Sequence, residues 1–373
     1  NWKNGENSMI EIKVPGKLFI AGEYAVLEPG YPAVVIAVNR YVKATIKPSV
    51  HKVLSMPQIG CPKVIWDWKD HQVHLESDSP RLAFAKSALQ VALKFIQEQG
   101  GNIKGFTLDL NSDLDDGAGK KYGLGSSAAV VVTIISGILH FHRDQNIPVE
   151  KEIIYKLSAI AHYKTQGNGS CADIAASTFG GWISYSSFEP SWLLSQLEER
   201  ESISELIFKE WPNLQIQSLP VSQFFQLCIG WTKTSARTAP MVKKIQQMKT
   251  SDPSRYDRFL QESREAVEAL IESIKREDIE GAIQSLTRNR LALKSLGEWT
   301  GERIETPKLS TLIEIANRYG SGKSSGAGGG DCGIALLRQP RDREDLYREW
   351  KKAGIEPLPL EVAHTGAEVC YIN

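Results

Sequence analysis

The sequence has no excess of charge of either sign and no long apolar run. Its 44 basic residues balance its 44 acidic residues, so no positive field favours nucleic acid or an anionic membrane surface. The longest apolar run, residues 128–141, is too short to cross a bilayer and predicts a buried element. We therefore expect neither nucleic acid nor a membrane as a partner, and composition leaves the oligomeric state open.

Cysteine and histidine are scarce and scattered. The five cysteines and seven histidines show neither metal-ligand spacing nor the order of a catalytic triad. An odd number of cysteines favours free thiols, so we expect a reducing, cytoplasmic location. No secretory signal precedes the first motif, and the polar residues 1–8, which precede Met9, are expected to be a non-native leader.

Glycine, in contrast, is concentrated in three segments that lie far apart in the chain. They are Pro15-Gly16-Lys17 with Gly22-Glu23-Tyr24, then Gly123-Leu124-Gly125-Ser126-Ser127-Ala128, and then residues 324–333. Glycine lets backbone N–H groups approach an anion closely. A Gly-Ser-Ser run that opens a helix adds free N–H donors and the positive end of the helix dipole. Because lysines accompany each segment, the three together predict a phosphate-rich site.

Two common phosphate-binding motifs fit this sequence poorly. Gly322-Lys323-Ser324 looks like the end of a Walker A loop, but Asn317 occupies the position of its first glycine. Residues 123–128 satisfy a relaxed dinucleotide-binding pattern, yet they follow a polar loop and not a strand. Context therefore argues against both interpretations.

The length of 373 residues favours two domains, and we place them at residues 1–220 and 221–373. Alternating or continuous apolar patterns predict strands at residues 10–14, 32–38, 42–46, 106–110, 182–185 and 333–337. Helical spacing predicts helices at residues 80–99, 126–142, 151–163, 255–275, 279–296 and 308–319. Residues 113–121 are interpreted as a loop, and residues 191–220 as connecting structure.

Taken in order, the glycine segments resemble the three motifs of the GHMP superfamily of small-metabolite kinases: galactokinase, homoserine kinase, mevalonate kinase and phosphomevalonate kinase. The resemblance runs from about residue 14 to residue 335 and is closest to the bacterial phosphomevalonate kinases. The segments that carry it are residues 16–18, 21–25 and 123–127, Asn168-Gly169-Ser170 with Asp173, and residues 230–233 and 323–333.

The resemblance implies a two-domain α+β fold with the active site in the cleft between the domains. The N-terminal domain would bind nucleotide and contain a left-handed βαβ unit, an exception to the usual handedness. The C-terminal domain would be ferredoxin-like. The implied reaction is the ATP-dependent phosphorylation of (R)-5-phosphomevalonate to (R)-5-diphosphomevalonate, in the mevalonate pathway of isoprenoid biosynthesis.

The family also implies roles for individual residues. Lys17 and Asp173 would be catalytic and would form an ion pair at the acceptor. The second segment would bind the nucleotide phosphates through Gly123, Leu124, Gly125, Ser126, Ser127 and Ala128. The hydroxyl of Ser126 or Ser127, of which we select Ser127, would bind Mg²⁺. Lys120 and Lys121 either add charge there or belong to a solvated loop.

A phosphomonoester is largely ionised at neutral pH, because its second pKa is about 6. Asp173 would therefore position the acceptor and balance charge more than remove a proton. Bringing a phosphate dianion to ATP calls for cations and backbone N–H donors. The residues expected to bind the acceptor are Lys17, Tyr24, Asn168, Ser170, Lys233, Arg237, Ser325, Gly326, Gly328 and Gly329, with Lys323 as a further candidate cation. The backbone N–H groups of residues 325–330 would hold either the acceptor phosphate or the terminal phosphates of the nucleotide.

One departure from the family concerns the metal. Mevalonate and homoserine kinases carry a glutamate that helps to hold Mg²⁺ shortly before the region of the catalytic aspartate, but residues 153–172 contain no acidic residue. Mg²⁺ would then be bound by phosphates, a serine and water. Trp66 and Trp68 either border the adenine or, with more support, pack in a hairpin.

Three other functions stay open at this point. Mevalonate kinase shares the fold but phosphorylates a hydroxyl, and diphosphomevalonate decarboxylase is a third enzyme of the same superfamily. A catalytically silent relative that binds nucleotide and regulates a partner belongs to a different class. Retention of Lys17, Asp173 and all three glycine segments argues against the silent relative.

Overall fold

The structure is a computed structural model, and it describes residues 9–200, 202–221, 223 and 225–372. The predicted leader, residues 1–8, lies outside the described residues. Two sheets organise the chain, and both are covered by helices.

The first half of the chain builds the larger sheet. Its strands are β1 (Met9–Ala21), β2 (Pro32–Pro48), β3 (Val53–Met56), β4 (Cys61–Lys69), β5 (Gln72–Leu75), β6 (Phe106–Ser112), β7 (Trp182–Ser186) and β8 (Gln215–Leu219). Its helices are α1 (Ala83–Glu98), α2 (Ser126–Phe141), α3 (Lys151–Gln166), α4 (Ala172–Phe179), α5 (Pro190–Glu199) and α6 (Ser204–Ile207).

The second half builds a four-stranded sheet and a group of long helices. Its elements are β9 (Gln226–Trp231), α7 (Thr238–Ser251), α8 (Pro253–Lys275), α9 (Ile279–Thr300), α10 (Pro307–Ala316), β10 (Gly320–Ser324), β11 (Cys332–Leu337), α11 (Arg343–Lys352), β12 (Glu356–Leu358) and β13 (Glu368–Ile372).

The order of the smaller sheet is β10-β11-β9-β12, with every pair antiparallel. A helix-containing connection joins β9 to β10 and another joins β11 to β12, which is the ferredoxin-like arrangement. The predicted α+β fold with a ferredoxin-like C-terminal part is therefore confirmed. The left-handed βαβ unit stays a prediction.

The larger sheet has the order β13-β1-β2-β6-β3-β4-β5, with β7 paired to β2 and β8 to β7. The last strand of the chain, β13, thus pairs with the first strand, β1. The end of the chain returns to the sheet of the first half, although the predicted boundary assigns it to the second. That boundary, after residue 220, stays a prediction.

Helix α2 is the centre of the first half. It is buried along nearly its whole length and packs against β1, β2, α1, α3 and α4. A helix that is apolar on every side belongs in a core, so the predicted buried helix is confirmed. Its packing fixes the second glycine segment, because that segment leads directly into the first turn of α2.

Two sequence interpretations were wrong in detail. Residues 32–38 and 42–46 belong to one long strand, β2, because both stretches pair with β1 across a β-bulge. Residues 191–220 contain α5, α6 and β8 in addition to connections. Among the described residues, no helix has both the length and the apolar character needed to cross a membrane.

Candidate active site

A cavity of about 160 Å³ lies where the two halves of the chain meet. It is enclosed by the end of β1, the segments before α2 and α4, and the connection from β10 to β11. Its polar lining residues are Lys17, Glu23, Tyr24, His162, Gln166, Asn168, Ser170, Asp173, Thr238, Ser325 and Asp331, and its lining glycines are Gly123, Gly169 and Gly326. All three glycine segments therefore contribute to one site.

Lys17 is joined to the second glycine segment by backbone and side chain. Its N–H donates to the carbonyl oxygen of Leu124 at 2.8 Å, and its Nζ donates to the carbonyl oxygen of Gly123 at 3.1 Å. Gly125 has a φ of +74°, and a Cβ there would lie 2.8 Å from the Lys17 Cγ. Glycine is thus required at position 125 for both conformation and space.

The N-terminus of α2 is open. No side chain caps it, and the first helical hydrogen bond runs from the N–H of Ala129 to the carbonyl oxygen of Gly125. The N–H groups of Ser126, Ser127 and Ala128 precede that bond, so they and the positive end of the helix dipole are suited to bind an anion. Of the six predicted nucleotide residues, all of them described, only Gly123 lines the cavity, and Leu124 and Ala128 are buried.

The structure places His162 in the site, although no role was predicted for it. Its Nε2 lies 3.2 Å from the Ser127 Oγ. Its ring stacks on Phe84 with a centroid separation of 5.0 Å, and the side chain is buried. The sequence signal that could have indicated His162 is a histidine within the apolar part of the predicted helix at residues 151–163, which corresponds to α3. His162 thereby orients the hydroxyl that the sequence assigns to Mg²⁺.

Asp173 lies in the first turn of α4, where its Oδ1 accepts a hydrogen bond from the N–H of Ile174 at 2.9 Å. The predicted ion pair with Lys17 is not formed, since no ammonium–carboxylate distance between these two described residues is within 4.0 Å. Each group has a backbone partner instead. Both still line the same cavity, which leaves space for reactants between them.

The loop between α3 and α4 holds two predicted acceptor residues, Asn168 and Ser170. The Ser170 carbonyl oxygen accepts hydrogen bonds from the hydroxyl of Tyr185 and from that of Ser187, the latter at 3.0 Å. Its Oγ accepts from the N–H of Ala172 at 3.2 Å. These bonds fix Ser170 at the cavity wall, where Asn168 also lies.

The third glycine segment is fastened to the first half of the chain. The Ser325 Oγ donates to the Phe19 carbonyl oxygen at 2.7 Å, and the Tyr24 hydroxyl donates to the Ala327 carbonyl oxygen. The N–H of Gly326 donates to the Glu23 Oε2 at 3.0 Å. Ser325, Gly326 and Tyr24 all line the cavity, and their role in binding the acceptor stays a prediction.

The N–H groups of this segment were expected to bind phosphate, but three of them already have protein partners. The N–H of Ser325 donates to Cys332, that of Gly326 to Glu23, and that of Gly329 to Ile304. Gly328 and Gly329 do not line the cavity. A Cβ on Gly328 would meet the Ile304 carbonyl, so this glycine allows close packing within the protein.

Three predicted cations lie elsewhere. Lys233 and Arg237 are exposed in the connection from β9 to α7 and do not line the cavity. Lys323 is fully buried, with its Nζ 2.6 Å from the Glu23 Oε2, so it is not available to a phosphate. Glu23 was not predicted from the sequence as the partner of Lys323. The available signal was the acidic residue within the first glycine segment.

Asp331 is another residue for which the sequence indicated no role. Its Oδ1 accepts from the N–H of Ala236 at 3.1 Å, and a Cβ on Gly123 would lie 2.7 Å from its Oδ2. Burial raises the pKa of Asp331, while the Ala236 N–H and the positive charge of Lys17 oppose the rise. In the second glycine segment, Gly123 thus lies against Asp331 and Gly125 against Lys17.

Of the two tryptophans considered for the adenine, Trp66 is a core residue. Its indole N–H donates to the Phe106 carbonyl oxygen at 3.2 Å, and the side chain is buried in the β4–β5 hairpin. The hairpin interpretation is confirmed for it. Lys120 and Lys121 are exposed in the loop before α2, which agrees with the solvated-loop alternative.

Comparison with known proteins agrees with this geometry. The family described as "GHMP kinases N terminal domain" matches residues 84–181, and "GHMP kinases C terminal" matches residues 268–356. Phosphomevalonate kinase from Streptomyces sp. (strain CL190) is 32% identical over 366 residues, which cover 94% of this chain and 96% of that protein.

Two solved structures are similar over nearly the whole length. A Lin0012 protein from Listeria innocua has a TM-score of 0.91 and 35% identity, covering 98% of this chain and 99% of that one. Streptococcus pneumoniae phosphomevalonate kinase in complex with phosphomevalonate and AMPPNP has a TM-score of 0.82 and 29% identity, covering 95% and 99%. From the fold, the site and these likenesses together, the chain belongs to the GHMP kinases.

Proposed function

We propose that the protein transfers the terminal phosphoryl group of ATP to (R)-5-phosphomevalonate, giving (R)-5-diphosphomevalonate and ADP, in the mevalonate pathway of isoprenoid biosynthesis. The observation that carries the proposal is one cavity, between the two halves of the chain, that is lined by Lys17, by Gly123 of the segment before α2 and by Asp173. A relative with this fold was solved with both phosphomevalonate and a nucleotide analogue, which supports the choice of acceptor.

The acceptor needs positioning more than it needs a base. A phosphomonoester has a second pKa of about 6 and is largely ionised at neutral pH. Phosphoryl transfer depends mainly on alignment and on neutralising the charge of the transferred group. Lys17 supplies a positive charge at the cavity, and Asp173, which lines the same cavity, would orient the acceptor, assisted by Ser170 and Asn168.

The nucleotide phosphates would lie at the open N-terminus of α2, where the N–H groups of residues 126–128 are available. The described residues contain no group of three or more His, Cys, Asp or Glu side chains that could hold a metal ion. A Mg²⁺ ion would therefore be bound mainly by phosphate oxygens, with the Ser127 hydroxyl as its protein ligand. When bound, Mg²⁺ neutralises charge on the phosphates.

A cytoplasmic location forms part of the proposal. The five cysteines are unpaired, which supports a reducing compartment.

A coupled ADP-release assay with three acceptors tests the proposal. We expect turnover with (R)-5-phosphomevalonate and little with mevalonate or diphosphomevalonate. Equal or faster turnover with mevalonate would make the protein a mevalonate kinase. ADP and CO₂ release from diphosphomevalonate would indicate the decarboxylase. Nucleotide binding without turnover of any acceptor would indicate a silent relative.

A further inference from the structure

Glu23 and Lys323 form an ion pair that joins the two halves of the chain inside the protein. Glu23 lies in the connection from β1 to β2, and Lys323 lies in β10. The Nζ–Oε2 distance is 2.6 Å, and the side chains are 3% and 0% exposed, respectively. Removing two charges from water is costly, and their attraction compensates for the cost only when further hydrogen bonds satisfy both groups.

The hydrogen bonds around the pair fix the third glycine segment. The Glu23 Oε2 also accepts from the N–H of Gly326 at 3.0 Å, and the Lys323 Nζ also donates to the carbonyl oxygen of Ser324 at 2.7 Å. The neighbouring Tyr24 hydroxyl donates to the Ala327 carbonyl oxygen. The pair thereby determines the backbone path of residues 324–327, three of which line the cavity.

The other oxygen of the same carboxylate has no partner in the part of the chain that the structure describes. Glu23 Oε1 is buried and makes no hydrogen bond to any described residue, although Glu23 lines the cavity. An ion pair retained for stability alone would be expected to satisfy all of its polar atoms, because an unsatisfied one is destabilising. The pair is therefore better explained by what it positions.

We propose that Glu23 and Lys323 are positioning residues for the phosphate acceptor. They hold residues 325–327 against β1, and this contact shapes the acceptor side of the cavity, which is the part lined by residues 325–327, where Ser325 and Gly326 are expected to bind the acceptor. Lys323 also cancels the negative charge of Glu23, which would otherwise repel an anionic acceptor at the cavity wall. The identity of that acceptor rests on the proposed function.

The test uses the double variant Glu23→Met/Lys323→Met, which leaves no unpaired buried charge. We expect the KM for phosphomevalonate to rise about tenfold while the KM for MgATP changes less than about twofold, because only the acceptor side is altered. Amide hydrogen exchange at residues 325–327 of the substrate-free enzyme should become faster. Lys323→Arg, which retains the charge pair, should recover part of the loss.

Glu28→Gln is the matched control. Glu28 lies in the same β1–β2 connection and also binds the second half, through Lys249 at 2.9 Å and Tyr256 at 2.6 Å. It does not line the cavity. Both KM values and exchange at residues 325–327 should match the wild type in this variant. An acceptor-specific rise in Glu28→Gln of the same size would contradict the proposal.

Equal rises in both KM values, or unchanged exchange with normal kinetics, would overturn the proposal. Should the double variant not fold, Glu23→Gln replaces it, since glutamine keeps an oxygen for Gly326 but removes the ion pair. Wild-type kinetics and exchange in Glu23→Gln would equally overturn it. The exchange comparison needs no substrate, so it still tests the pair if the wild-type enzyme prefers another acceptor and the proposed function fails.

Discussion

The Lys17 Nζ lies 3.1 Å from the carbonyl oxygen of Gly123, so the lysine of the first glycine segment is held by the second. This contact places the ammonium group beside the second glycine segment, at the wall of the cavity. The predicted pair with Asp173 is absent between these described residues, and Lys17 has this backbone partner instead.

Replacing Lys17 by methionine should reduce kcat by roughly 100-fold, the scale for losing a positioned charge in a transition state. The KM for MgATP should change little. Lys13→Met is the control, because Lys13 lies on the same strand but packs over the Tyr41 ring at 4.0 Å. Steady-state kinetics of both variants test this, and near-normal kcat in Lys17→Met would remove Lys17 from the reaction centre.

Asp173→Asn should also lower kcat by roughly 100-fold with a folded protein, because asparagine keeps an oxygen for the Ile174 N–H but loses the charge. Nucleotide affinity, measured by calorimetry, should stay near the wild-type value. Asp252→Asn, at the N-terminus of α8, controls for loss of a helix-terminal carboxylate. Normal turnover in Asp173→Asn would assign the residue to capping alone.

Gly125→Ala should raise the KM for MgATP and lower kcat, because the new Cβ would press on the Lys17 side chain and disturb the phosphate segment. Gly119→Ala separates strain from crowding. Gly119 has a φ of +80°, close to the +74° of Gly125, but no atom lies within 4 Å of the position that its Cβ would take. Similar kinetics for the two variants would show that backbone strain, and not contact with Lys17, is responsible.

His162→Phe should weaken MgATP binding by about tenfold, on the scale of losing one hydrogen bond to a functional group. Phenylalanine can keep the stacking on Phe84 but has no nitrogen for the Ser127 hydroxyl. Ser127→Ala should weaken binding by a similar factor, and the double variant should be little worse than either single one. Additive losses, measured by calorimetry, would show that the two side chains act independently.

Stability should fall in mild acid because of His142. Burial lowers its pKa to about 4, and its ring accepts from the Lys104 N–H at 3.0 Å while contacting the Ile138 carbonyl oxygen at 2.8 Å. The folded state holds this histidine neutral, so its contribution is complete above the unfolded pKa of about 6.5 and is lost as pH falls towards 4.

The expected loss of unfolding free energy between pH 7.5 and pH 5 is about 2 kcal/mol from this residue. Urea denaturation at the two pH values measures it. His142→Gln should be less stable at pH 7.5 but less sensitive to pH, whereas His51→Gln, at an exposed position, should behave like the wild type. An unchanged pH dependence in His142→Gln would refute the assignment.

The sequence predicted the elements whose signals are local. Helix α2 was recognisable because a Gly-Ser-Ser run leads into a long apolar stretch, and α8 and α9 because of their apolar spacing. Short strands such as β10 were missed, since Gly320–Ser324 has little β-propensity and is a strand only through its pairing with β11. The return of β13 to β1 likewise depends on distant pairing.

Within the site, sequence motifs identified Lys17, Gly123 and Asp173, but not their partners. The Glu23–Lys323 pair joins positions 300 residues apart, and the sequence pattern of a lysine in a glycine-rich segment is equally typical of a phosphate ligand. Only the burial of Lys323 in the structure distinguishes a lysine in an ion pair from a lysine that binds phosphate. His162 was passed over because the histidines are scattered in the sequence without the spacing of a metal site or a catalytic triad.

The central claim is that the acceptor is a phosphate group, and ³¹P NMR of the reaction product tests it most directly. With MgATP and (R)-5-phosphomevalonate, we expect loss of the monoester resonance and growth of the two coupled resonances of a diphosphate ester, in step with ADP. ADP formed while the monoester resonance persists, or a new monoester formed faster from mevalonate, would contradict it.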